Sequence, residues 1–114
     1  MTVALIVLIL AALGGVVMAA MVLRGRDRPP TGIAIVHGLL AATGVALLAS
    51  AVFSTDTGGL ARYALYVFFA AIAGGALMFL GFHLRGKPLP KPVVIIHGLA
   101  AATGIALLVA ALFG

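Results

Sequence analysis

The segment His37-Gly-Leu-Leu-Ala-Ala-Thr-Gly44 returns sixty residues later as His97-Gly-Leu-Ala-Ala-Ala-Thr-Gly104. The likeness continues through Ala46, Leu47 and Leu48, matched by Ala106, Leu107 and Leu108, to Phe53 and Phe113. Upstream, Ala11, Gly14, Gly15 and Met18 find counterparts at the same offset in Ala71, Gly74, Gly75 and Met78. Apolar segments resemble one another easily, but chance rarely keeps a histidine, a threonine and glycine pairs in register. The chain therefore reads as an internal duplication, with repeat 1 over residues 1–57 and repeat 2 over residues 58–114.

The composition says what the repeats are made of. Of 114 residues, 65% are hydrophobic and 8% charged, whereas ordinary soluble domains carry about 25% charge. So few charges cannot cover a soluble surface. That excludes a soluble enzyme or a nucleic-acid-binding domain, despite the net charge of +5. Four uncharged runs stand out, over about residues 3–23, 33–53, 63–84 and 93–113. Each is long enough, at about 1.5 Å per residue, to cross about 30 Å of hydrocarbon as a helix. A helix also satisfies its own backbone, which lipid cannot do. The first run resembles a signal peptide in position, but it lacks a basic leader and has a counterpart in the second repeat, so it is read as a span. The expected fold is all-α and integral to the membrane. It is a four-transmembrane-helix bundle built from two tandem parallel-repeat helical hairpins, related by a pseudo-two-fold axis along the membrane normal.

Charge placement sets the expected topology. Loop 24–32 holds Arg24, Arg26 and Arg28, and loop 85–92 holds Arg85, Lys87 and Lys91, while the opposite side holds only Arg62. The positive-inside rule places both basic loops in the cytoplasm and both termini outside, as in a bacterial inner membrane. It also accounts for the basic balance without nucleic acid, and makes anionic lipid headgroups natural neighbours. Prolines stand ahead of the second and fourth helices, where a missing N–H costs little. In the neutral loop, Asp56 or Thr57 is placed to cap the third helix.

The residues that are missing remove whole chemistries. There is no Cys, Trp or Glu, and the only carboxylates, Asp27 and Asp56, lie outside the spans. Disulfides, thiolate ligands and paired-carboxylate catalysis all fall away. The chain is not expected to be an enzyme beyond, at most, a redox subunit. His37, His83 and His97 are the remaining groups suited to proton or metal chemistry. Residues i, i+4 and i+7 share a helix face, so His37, Ala41 and Gly44 form one stripe, and His97, Ala101 and Gly104 its twin. Small residues beside a histidine admit two readings. They allow a neighbouring helix to approach closely, or they leave room for a flat macrocycle whose metal the imidazole ligates.

In a simple up-down bundle the second and fourth helices are diagonal, about 11–14 Å apart, a span that suits one haem held from both sides. Six basic residues at the same end could pair with its propionates. In residues 37–44 and 97–104 the chain resembles the axial-ligand helices of transmembrane bis-histidine b-type cytochromes. That resemblance implies one haem b, with His37 and His97 as ligands to its iron and Gly44, Gly104, Ala41 and Ala101 as its lining. It also implies electron transfer near the cytoplasmic face. Two other readings of the pair stand beside it: structural hydrogen bonding to a neighbouring helix, and another ligand such as a quinone or chlorophyll. The corresponding rival functions are a non-catalytic accessory or scaffold subunit of a larger membrane complex or homo-oligomer, and a small channel or carrier. The small multidrug transporters and rotary-ATPase proteolipids are set aside, because both need an intramembrane carboxylate. His83, without a repeat counterpart, reads as interfacial. Thr43 and Thr103 read as bonding their own i−4 carbonyls, and the paired glycines as points of close helix contact.

Overall fold

Each apolar run forms one helix in the computed structural model, which describes residues 1–114. The helices are α1 (Thr2–Leu23), α2 (Thr31–Ser54), α3 (Gly59–Met78) and α4 (Lys91–Phe113). The bundle is 43 Å long, enough to pass through the hydrocarbon layer with its ends in the headgroups. All four helices are long and apolar enough to be membrane spans. The chain is thus a multi-pass integral membrane protein of the expected class.

The ends differ from the sequence reading in instructive ways. Helices α2 and α4 begin two residues earlier than expected, directly after Pro30 and Pro90. Pro92 sits inside the first turn of α4, where its missing N–H is one the helix leaves unpaired anyway. Helix α3 starts at Gly59, so Arg62 lies in its first turn. Neither Asp56 nor Thr57 caps it; Gly58 holds that position with a φ of 82°, a left-handed backbone that favours glycine. Asp56 instead accepts the Gly58 N–H at 3.3 Å, within the turn. Thr43 and Thr103 donate to the Leu39 and Leu99 carbonyls at 2.8 Å, as expected.

The largest departure is at the end of α3. Residues Phe79–His83 form a π-helical turn, in which Leu84 N–H reaches back to the Phe79 carbonyl at 2.9 Å. The wider turn shifts the residues beyond it relative to a continuous α-helix. Leu23, the repeat counterpart of His83, is 44% exposed, whereas His83 is 5% exposed.

Helix α1 packs on α2 and α4, and α3 packs on α4 and α2, so α2 and α4 lie diagonally across the bundle. The hairpins are joined by one register used twice. A Cβ added at Gly44 would lie 2.7 Å from Leu8 Cγ, and one at Gly104 would lie 2.8 Å from the Phe68 ring. Two helical turns away the roles reverse: a Cβ at Gly15 would lie 3.0 Å from His37 Cε1, and one at Gly75 would lie 3.1 Å from His97 Cε1. Each helix thus inserts one large side chain into a glycine of its partner and receives one in return, seven residues along. Helices in lipid gain little from the hydrophobic effect when they associate, so this close packing, with its dispersion contacts, carries the fold.

The glycines provide an internal control. Gly44→Ala and Gly104→Ala are expected to destabilise the bundle by about 1–3 kcal/mol through overpacking. Gly38 and Gly98 have nothing within 4 Å of a would-be Cβ, so Gly38→Ala and Gly98→Ala should leave stability unchanged or raise it by up to about 1 kcal/mol. Thermal melting of the four variants in one detergent separates the two classes.

Candidate functional site: the histidine layer

The apolar core is not continuous. One cluster, built on Leu8, Val45, Leu48, Leu65, Phe68 and Leu108, fills the half near the termini. A second, of Val22, Met78 and Val94, closes the basic end. His37 and His97 lie between them. Each is the seventh residue of its helix, which puts both at the same depth, about 9 Å of rise from the basic end.

Their surroundings are supplied mainly by their own hairpins. His37 reaches from α2 into the niche over Gly15, and its Nδ1–H donates to the Ala11 carbonyl of α1 at 2.7 Å. A carbonyl only accepts, so the proton is on Nδ1 and a neutral ring keeps Nε2 as a bare acceptor. His97 repeats the placement against Gly74 and Gly75 of α3. Its Nδ1 lies beside the carbonyl of Ala71, the counterpart of Ala11, but closes no hydrogen bond of ordinary geometry there and is buried without a partner. Across the bundle axis the two imidazoles meet edge to face, with centroids 6.2 Å apart and planes at 77°.

The structure therefore brings His37 and His97 together, as the diagonal placement implied. Ala41 and Ala101 line the small cavity beside them, which measures about 40 Å³. The cytochrome resemblance placed Gly44 and Gly104 against a macrocycle. Their open sides are filled by Leu8 and Phe68. Sites for cofactor-sized ligands occupy about 300–1,000 Å³, well above the space beside the imidazoles in this packed arrangement. The cavity is lined almost wholly by apolar side chains, among them Leu8, Val45, Phe68 and Ile72. Nor do three metal-ligating side chains gather anywhere in the chain.

His83, expected at the interface, is drawn into the protein. It is buried at the end of the third span, where Nε2 shares a hydrogen bond with Thr31 Oγ1 at 2.9 Å. Its ring stacks on Phe79, with centroids 5.2 Å apart, and its carbonyl accepts from Arg28 Nη1 at 3.2 Å. The signal in the sequence was the break in the duplication, histidine against Leu23. The π turn that directs it inward has no such local mark. Compared with known protein families, curated proteins and solved structures, the chain matches none.

The two histidines differ by one hydrogen bond in otherwise equivalent settings. Removing His37 deletes ring packing and a hydrogen bond worth about 0.5–1.5 kcal/mol, whereas removing His97 deletes packing alone. His37→Ala should melt below His97→Ala, and both below the wild type, in thermal unfolding followed by circular dichroism.

Proposed function

We propose that the chain is a non-catalytic membrane subunit that works as a helix-packing scaffold, built to sit beside other membrane helices of a partner or of a second copy. One observation carries this reading: the glycines suited to facing a cofactor are already filled by side chains of the partner helix. The imidazoles occupy the Gly15 and Gly75 niches, and Leu8 and Phe68 occupy those of Gly44 and Gly104. Transport is not favoured, because the apolar cluster above the histidine layer contains Leu48, Leu65 and Leu108, all at 0% exposure. It forms a plug with no polar path.

The outward surfaces support an interaction role. Only 17% of the α2 and α4 spans is buried within the bundle. Gly38, Ala42 and Ala46 on α2, and Gly98, Ala102 and Ala106 on α4, are exposed at four-residue spacing, the pattern that lets a further helix approach closely. Purified in a mild detergent after expression with ample haem, the protein should show no Soret or alpha band. Embedded in lipid nanodiscs, it should be found above monomer mass, alone or with a companion protein. A band abolished by both His37→Ala and His97→Ala, or a strictly monomeric protein in nanodiscs, would overturn the scaffold reading.

The charge asymmetry supports an orientation with both termini outside and loops 24–32 and 85–92 in the cytoplasm. The chain has no native cysteine, so single replacements report cleanly. A membrane-impermeant maleimide should label Thr57→Cys in intact cells and Lys87→Cys only after permeabilisation. The reverse pattern inverts the topology.

A further inference from the structure

The two repeats agree at the histidine layer and part company at the basic end. A recess of about 370 Å³ opens there, where the first basic loop and the start of α2 meet the end of α3, lined by Arg26, Asp27, Arg28, Thr31 and His83 together with Pro29 and Pro30. At the position related to it by the duplication, Lys91 stands for Thr31 and Leu23 for His83. The departure from symmetry therefore concentrates polar side chains at one place.

The recess is built rather than incidental. Pro30, with φ −56° and ψ 135°, leads the loop into α2 in an extended path. Leu89 N–H donates to the Asp27 carbonyl at 2.9 Å, fastening the two basic loops. Arg26 Nε donates to the Arg28 carbonyl at 2.9 Å, and Arg28 Nη1 to the His83 carbonyl at 3.2 Å. Each guanidinium has five N–H donors, so both keep most of them for a ligand while their positions are held. Thr31 is the first residue of α2, and no side chain caps the helix. The first N–H groups and the positive end of the helix dipole therefore face the same region. One carboxylate, Asp27, lies among six cations of the two loops: Arg24, Arg26, Arg28, Arg85, Lys87 and Lys91.

We propose that this recess binds a phosphate group, carried by an anionic phospholipid headgroup or by a soluble phosphate compound. Guanidinium forks match phosphate oxygens in geometry and charge. The recess lies at the end of the membrane spans, the level at which headgroups sit. The site is independent of the scaffold role, since none of its side chains belongs to the histidine layer.

Native mass spectrometry of the full chain in mild detergent tests the proposal, using phosphatidylglycerol, phosphatidylcholine and inorganic phosphate as probes. The Arg26→Gln/Arg28→Gln pair is compared with Arg85→Gln/Lys87→Gln, which removes the same charge outside the recess. Binding of phosphatidylglycerol should exceed that of phosphatidylcholine. It should fall about tenfold, or about 1.4 kcal/mol, in the first pair, and far less in the second. Displacement of the lipid by inorganic phosphate identifies a soluble phosphate compound as the natural source; retention of the lipid identifies the headgroup. An equal loss in both pairs, or no binding of either phosphatidylglycerol or phosphate, overturns the proposal. Should the first pair fail to fold by circular dichroism, the exposed Arg26→Gln alone must still weaken binding more than Lys87→Gln does.

Discussion

Everything in this bundle rests on a reciprocal exchange between antiparallel helices, in which each gives one bulky side chain to a glycine of the other. Lipid surrounds the protein with a medium as apolar as its own core, so burial alone does not drive the helices together. Close contact must supply the energy, and close contact needs positions without a Cβ. The pairs Gly15 with His37 and Gly44 with Leu8 hold the first hairpin, and Gly75 with His97 and Gly104 with Phe68 hold the second. Duplication reproduced the register along with the residues. The exchange of Leu8 for Phe68 shows that the niche accepts different bulky side chains while the glycine opposite stays the same.

The histidines belong to this packing before they belong to any chemistry. A polar ring in a membrane core is costly unless it is satisfied, and His37 is satisfied by the second lone pair of a helical carbonyl at Ala11. His97 adopts the same pose without completing the bond. The pair thus combines strict placement with unequal hydrogen bonding, and the core is divided into two apolar clusters by the layer they occupy. The space that remains beside them is about 40 Å³, and the glycines of the motif are filled by Leu8 and Phe68.

At the basic end the molecule departs from its own symmetry. The π turn at Phe79–His83 brings a histidine inward where the first repeat leaves a leucine outside. The imidazole ties Thr31 at the start of α2 to the end of α3, and Arg28 joins the same junction. Six of the seven strong cations lie in the two loops at this end, and Arg26 and Arg28 line its recess.

By itself the sequence determined the number of spans, their approximate limits, the duplication and the shared depth of His37 and His97. These follow from hydropathy, chain length and a fixed offset, all local or periodic properties of the chain. It also indicated that Gly14, Gly15, Gly74 and Gly75 mark close contacts, and that Thr43 and Thr103 bond their own helices. What enters each glycine niche was decided only by the tertiary structure. The stripe His37–Ala41–Gly44 reads equally well as a cofactor groove or as a packing seam, and the choice depends on which residue of a distant segment arrives opposite. That is a matter of register between helices, which no local pattern encodes. The same holds for His83: its chemistry is visible in the chain, but its burial comes from a π turn and from the packing of α3 against the start of α2.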